Sequence, residues 1–282
     1  MSGAFALLRL TVLALALALP TLARAEGATL RFGVFPNLPP RQLILTHQPL
    51  ADALAARIGR PVRILSARDF RTFVARTHAG DYDLVLTAPH LAWLARREAG
   101  YRPLAKYREP VRGLLVARAG SGIARPRDLR GRRVAVPDPL AISAMAVEAD
   151  LARAGLSLRG ETRLQEGGAH TNAALRVLNG SADAAVIGRQ PYARLPAQAR
   201  ARLIVLHETP PLSSQMLLAH PRLAPAEQER LQAALSGFAA SPAGRAYLKN
   251  GGFGGFAPVD GNELAAFRPY AEQAARILGL AR

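Results

Sequence analysis

The stretch RRVAVPDPLAISAMAVEAD (residues 132–150) runs from a short β-branched strand through a Pro-Asp-Pro turn into a helix. A strand that passes directly into a helix is the building unit of α/β sheets. It leaves the first helical amides without internal partners, at the positive end of the dipole. Two readings of this turn follow: an anion cradle, or an ordinary helix start with one leftover hydroxyl, Ser143.

The same strand-into-helix unit repeats on both sides. Upstream, ATLRFGV (28–34), PVRILSA (61–67) and DLVLTA (83–88) have strand character. Each precedes a segment of helical period: LILTHQPLADALAARIG (43–59), DFRTFVARTHAG (69–80) and PHLAWLARREAG (89–100). Asp69 stands at an N-cap position, Gly80 lies past a helix end, and Pro89 occupies a first helical turn. After PVRGLLVARAG (110–120) the pattern restarts with the quoted stretch, whose helix is expected from Ile142 to Ala154. HTNAALRVLNG (170–180), ADAAVIG (182–188) and RLIVLHE (202–208) complete a second set. SSQMLLAH (213–220) is a further strand, followed by three helical stretches at 224–238, 241–252 and 261–279.

The fold class expected from this pattern is α/β with mainly parallel sheets, in two doubly wound lobes joined by extended crossings near 110–118 and 211–219. Lobe 1 is assigned to residues 26–115 plus 213–282 and lobe 2 to 116–212, with the C-terminal helices returning to lobe 1. A cleft facing the carboxyl ends of the strands is the expected ligand site.

Residues 1–25 read as a secretory signal: a basic region ending at Arg9, an apolar run from Leu10 to Leu19, and Ala23-Arg24-Ala25 as a cleavage site after Ala25. The apolar run is too short to span a bilayer. An exported chain with no cysteine has no disulfides to lean on, so buried apolar area must hold it. Thiol nucleophiles and thiolate metal sites are excluded by the same absence.

The formal net charge is +17, and without the two arginines of the leader 35 basic residues face 20 acidic ones. The arginines are scattered, lysine occurs only at Lys106 and Lys249, and aromatics do not interleave with the basic residues as a base-stacking platform requires. A nucleic-acid partner is therefore not expected; a general preference for anions, or merely arginine-rich codon usage, is the simpler explanation.

Chemistry-bearing residues gather at three helix starts. Thr87, Ala88, Pro89 and His90 end a strand and open a helix. Ser143 follows the quoted turn, where Asp138 shapes the backbone, its charge being repulsive to an anion. His170 and Thr171 follow a Gly-Gly pair, with Thr171 the expected N-cap. Trp93 reads as core, with a cleft wall as the alternative. No HExxH, GxSxG, Walker or Ser-x-x-Lys pattern is present, and His47, His78, His90, His170, His207 and His220 lack metal-ligand spacing. No cofactor and no metal are expected. Catalysis by Ser143 with His170 is the rival reading, but no residue in the sequence is placed to orient the imidazole.

The order of motifs resembles the phosphate/phosphite/phosphonate substrate-binding proteins of ABC transporters, a branch of the type II periplasmic binding fold. The resemblance rests on LRFGVFPNLPP, PLADALAARIGRPV, AGDYDLVLTAPHLAWLA, DLRGRRVAVPDPLAISAM, GGAHTNAALRVLNGSADAAV and GFGGFAPVDGNELAAF, and spans nearly all of the chain after the leader. It implies an oxyanion held by hydroxyls after Asp-Pro, commonly a Ser-Thr-Ser-Gly run, and by a histidine after Gly-Gly. His170 keeps the second feature. Ala141, Ile142, Ser143 and Ala144 stand in the first, leaving one hydroxyl of three, and the Gly-Pro-x-x-Tyr of the family is replaced by Ala88-Pro89-His90-Leu91-Ala92. Altered specificity and a decayed site both remain open.

The resemblance implies a monomeric periplasmic protein that closes around a small anionic solute and hands it to an inner-membrane ABC permease. The ligand contacts expected are Asn37, Thr87, Ala88, Pro89, His90, Ser143, His170 and Thr171. A ligand sensor for a membrane receptor kinase and an extracytoplasmic hydrolase are the alternatives.

Overall fold

The computed structural model describes residues 28–280, so the leader and its expected cleavage site lie outside the described residues. The three expected strands of the first lobe are β1 (Leu30–Val34), β2 (Val62–Leu65) and β3 (Leu84–Thr87), parallel about β1. Each is followed by its helix: α1 (Pro40–Ile58), α2 (Phe70–His78) and α3 (Pro89–Ala99). Local chemistry sets the ends. Asp69 accepts the Thr72 amide at 2.7 Å to cap α2, while α1 and α3 open on proline and stop at Gly59 and Gly100, whose φ values of 74° and 69° suit glycine. β4 (Arg102–Tyr107) ends at the crossing into the second lobe.

The second lobe contains β5 (Gly113–Arg118), β6 (Arg133–Val136), α4 (Ile142–Arg153), a short α5 (Leu158–Glu161), β7 (Arg163–Glu166), α6 (His170–Leu178) and β8 (Ala184–Gly188). The short helices α7 (Arg189–Ala193) and α8 (Ala197–Ala201) lead to β9 (Leu203–Glu208). The chain then returns as β10 (Met216–Ala219), α9 (Pro225–Ala240), α10 (Pro242–Gly251), β11 (Phe256–Ala257), α11 (Gly261–Ala265) and α12 (Arg268–Leu278).

The strand orders are β11-β4-β10-β3-β1-β2 and β7-β6-β8-β5-β9. Neither sheet is as parallel as the periodicity suggests, since β10 runs antiparallel to β3 and β4, and β5 runs antiparallel to β8 and β9. The reason is the route of the chain. Each crossing enters its new sheet from the cleft, where the parallel strands end, so the entering strand must run the opposite way. Residues 113–118 and 216–219 are thus sheet strands, and the crossings shrink to 108–112 and 209–215.

Those two crossings are tied to each other. Val111 and Leu212 exchange both backbone hydrogen bonds, at 3.0 and 2.8 Å. Thr209 donates its amide to the Gly113 carbonyl at 2.9 Å and accepts the Gly113 amide on Oγ1 at 2.9 Å. A Cβ at Gly113 would lie 2.7 Å from the Ser143 carbonyl oxygen, so only glycine lets the crossing press against the start of α4.

Apolar clusters cover both faces of each sheet. The C-terminal helices do return to the first lobe: Leu231, Leu235 and Phe238 of α9 join Leu50 and Leu54 of α1, and Ala271 and Ala274 of α12 join Leu91 and Ala95 of α3. One cluster also joins the lobes, with Leu140, Ile142 and Met145 packed with Phe35, Phe70, Ala88 and Leu91. Trp93 is core packing rather than cleft wall: it lies partly buried on that cluster, with the Arg97 guanidinium 5.3 Å over its ring.

The two lobes share one pin. The Asp83 amide donates to the Arg31 carbonyl at 2.8 Å while its carboxylate accepts the Arg31 amide at 2.7 Å; Asp183 does the same to Arg133 at 2.9 and 2.8 Å. Asp183 also takes the Arg133 guanidinium on both oxygens, at 3.2 and 3.1 Å. Its hydrogen bonds with the Arg133 side chain and backbone hold its pKa below the usual carboxylate value. Asp183→Ala should therefore cost about 1.5–3 kcal/mol, the range for hydrogen bonds to a charged group. Because the folded-state pKa is the lower one, the wild-type advantage is present above pH 4 and fades as pH falls through the folded pKa. Paired thermal melts at pH 7 and pH 3 would check this; equal melting temperatures at pH 7 would disprove it.

Candidate functional site

A cavity of about 110 Å³ lies between the lobes, ringed by the carboxyl ends of the strands. It is built from four strand exits. β1 leads to Phe35 and Asn37, β3 to Ala88 and Pro89, β6 through the Pro-Asp-Pro turn to Ala141, Ile142 and Ser143, and β8 to Gly188 and Arg189. At the β6 exit Asp138 shapes the turn, accepting the Leu140 amide on Oδ1 at 2.7 Å and the Ala141 amide on its carbonyl at 2.9 Å. Burial raises its pKa, with Glu166 and Asp69 adding like charge. Ala141 then caps α4 with no side-chain bond, so the first amides of α4 keep their outward donors.

Of the sequence-expected contacts, Asn37, Ala88, Pro89, Ser143 and His170 line this cavity. Ser143 Oγ and Asn37 Oδ1 are buried with no hydrogen-bond partner. A buried polar atom left unpaired costs about 1–3 kcal/mol, which a ligand that pairs it recovers. His170 opens α6, and its Nδ1 accepts the Gly188 amide at 3.1 Å. A backbone N–H can only donate, so the neutral ring carries its proton on Nε2. Desolvation lowers the His170 pKa to about 4, which keeps it a neutral donor at ordinary pH. In this tautomer Nε2 cannot take a proton from Ser143, so the two do not form a nucleophile and base.

Three expected contacts lie elsewhere. Thr87 is buried at the end of β3, outside the cavity lining. Thr171 is exposed as the second residue of α6, and Ala169 holds the cap position that Thr171 was expected to fill, because the helix begins two residues earlier. His90 is fully buried and bridges the lobes, Nε2 donating to the Leu140 carbonyl at 3.0 Å. Desolvation lowers its pKa to about 4. It clasps the lobes together instead of reaching the cavity.

Several lining residues escaped the sequence reading. His47, on the buried face of α1, has Nδ1 3.1 Å from the Tyr247 hydroxyl, and desolvation again lowers its pKa to about 4. Nothing in a helical repeat distinguishes such a histidine from core. Arg189 and Gln190 follow ADAAVIG just as Pro89 and His90 follow DLVLTA, so that strand exit was detectable from sequence. Arg112 sits on the first crossing, 35% exposed, 3.5 Å from Glu208. Phe35 and Phe70 form an edge-to-face wall, centroids 5.8 Å apart. At the rim Gln190 Nε2 donates to the Gly252 carbonyl at 2.5 Å and Arg194 to the Gly251 carbonyl, closing lobe 2 onto the end of α10.

The description "ABC transporter, phosphonate, periplasmic substrate-binding protein" belongs to the family model that matches residues 32–264. In structure the chain is similar to PhnD1 of Prochlorococcus marinus in complex with methylphosphonate, with TM-score 0.78 and 14% identity over 90% of this chain and 99% of that one. It is similar to a binding protein component of an ABC phosphonate transporter from Pseudomonas aeruginosa, with TM-score 0.78 and 18% identity over 89% of this chain and 87% of that one. XAC2383 from Xanthomonas citri, bound to chloride ion, gives TM-score 0.74 and 21% identity over 89% and 100%. These structural likenesses are likenesses of fold.

Buried His47 and His90 and half-buried His170 have a shared consequence. Their folded-state pKa values near 4 lie below the ordinary histidine value of 6.5, so the unfolded chain binds protons that the folded chain refuses. Stability should be full above pH 6.5 and fall progressively as pH drops toward 4. The check is imidazole titration by NMR, with His47, His90 and His170 still neutral at pH 5.5; a midpoint near 6.5 for any of them would contradict its burial here.

Proposed function

The chain belongs to the periplasmic substrate-binding protein family of phosphonate ABC transporters, and from that premise we propose that its interlobe cavity takes a small phosphorus oxyanion. Proteins of this family work outside the cytoplasm, binding a solute for an ABC permease, and the family is one of transport proteins rather than enzymes. None of the described helices is long and apolar enough to cross a membrane.

The observation that carries the proposal is the convergence of donors. Ser143 Oγ is buried and unpaired, His170 Nε2 is a neutral N–H, and the first amides of α4 point out of the helix at its positive end. All are donors, which an oxyanion needs and a cation does not. Two missing hydroxyls relative to the family pattern lower the donor count without removing the cradle. Leu140, Ile142 and Met145 already pack with Phe35 and Phe70 across the lobes, and a ligand contacting both lobes would favour this closed arrangement. Secretion with cleavage after Ala25, a monomeric state and the absence of turnover complete the reading.

Titration calorimetry of the secreted form, refolded to strip carried solute, tests it with methylphosphonate, phosphite and phosphate. His170→Ala should weaken methylphosphonate roughly tenfold or more, as loss of a hydrogen bond to a charged partner of about 1.5–3 kcal/mol requires. Binding of another solute class with no phosphorus oxyanion bound at all would keep the fold and overturn this assignment.

A further inference from the structure

The charges around the cavity do not balance. Arg112, Arg189 and Arg194 line it, and among the described residues no Asp or Glu does. Three carboxylates on neighbouring segments are already committed. Asp69 caps α2, Asp138 holds the Leu140 amide, and Glu208 gives its two oxygens to Arg189 Nη1 at 2.6 and 2.7 Å. Arg112 is left the long approach to Glu208 at 3.5 Å and a weak bond from Nη1 to the Thr209 carbonyl at 3.4 Å. One carboxylate cannot neutralise two guanidiniums, and the geometry gives it to Arg189. Arg194 spends Nη2 on the carbonyls of Asn250 and Gly251, which carry no net charge. Three arginines thus line the cavity with one carboxylate shared between two of them, and His47 and His170 add no charge because both are neutral.

We propose that the cavity selects a phosphonate bearing a second anionic group, a carboxylate, over one bearing an ammonium, and that Arg112 is the residue that holds the second charge. The inference rests on the oxyanion reading given above. Its physical content is simple. The helix start, Ser143 and His170 supply uncharged donors for one anionic head, and the Arg112 guanidinium, whose nearest carboxylate is the Glu208 already taken by Arg189, is left to meet a second anionic group. An ammonium in the same space would meet three guanidiniums and no free carboxylate. Arg112 also sits on a crossing between the lobes, next to Gly113, which presses on the start of α4.

Calorimetry at pH 7.5 with methylphosphonate, phosphonoacetate, 3-phosphonopropionate and 2-aminoethylphosphonate tests this. One of the two carboxylate-bearing ligands should bind at least about tenfold more tightly than methylphosphonate, and the aminoethyl compound more weakly than both, tenfold being about 1.4 kcal/mol. In Arg112→Gln the ratio of carboxylate-bearing ligand to methylphosphonate should collapse toward unity, and Arg112→Lys should restore most of it. Methylphosphonate binding with no carboxylate advantage, or aminoethylphosphonate binding as tightly as methylphosphonate, would overturn the charge argument and leave the oxyanion site standing. An advantage that survives in Arg112→Gln would overturn the role of Arg112. Failure of all four ligands to bind would overturn the oxyanion reading and this inference with it.

Discussion

The aspartate pin at the base of each sheet is the interaction on which the rest depends. Asp83 stands one residue ahead of β3 and Asp183 one residue ahead of β8, and each locks its strand, by amide and carboxylate together, to the start of β1 or β6 respectively. Fixing the two strands at their entry ends fixes where their exits lie, three to four residues later. Those exits carry Phe35, Ala88, Ala141 and Gly188 into the cavity. A register slip would move every exit and turn core side chains to the opposite face, so the same pin appears in both lobes.

Built on that base, the site is made mostly of what helices leave unfinished. Amides at the start of α4, a hydroxyl with no partner and an imidazole whose tautomer is set by the Gly188 amide can each donate a hydrogen bond. Asn37 Oδ1 is the unpaired acceptor among them. The arginines add charge without adding a nucleophile. Closure is carried separately, by His90 on the Leu140 carbonyl at one side and Gln190 and Arg194 on the end of α10 at the other. The cavity walls and the clasps are thus different residues on the same short turns.

The tied crossings complete this division of labour. Val111 and Leu212 exchange backbone bonds, so the two connections move as a single two-stranded link. Arg112 sits within that link and faces the cavity, which places one charged contact at the axis about which a lobe would turn.

The alternation of strand and helix, the caps at Asp69 and Pro89, and the return of the C-terminal helices were determined by sequence alone. All of these depend on local periodicity and on backbone chemistry that a few neighbouring residues fix. The sequence also marked Asn37, Ala88, Pro89, Ser143 and His170, because a strand running into a helix announces its own free amides. Only the tertiary structure decided that His90 clasps the lobes, that Thr87 and Thr171 stand outside the cavity, and that His47, Arg112 and Arg189 line it. These assignments depend on which side chain of one lobe meets which turn of the other. That is settled by the antiparallel entry of β5 and β10 and by the packing of Leu140 and Ile142 on the first lobe, contacts between residues far apart in the chain that leave no periodic trace in it.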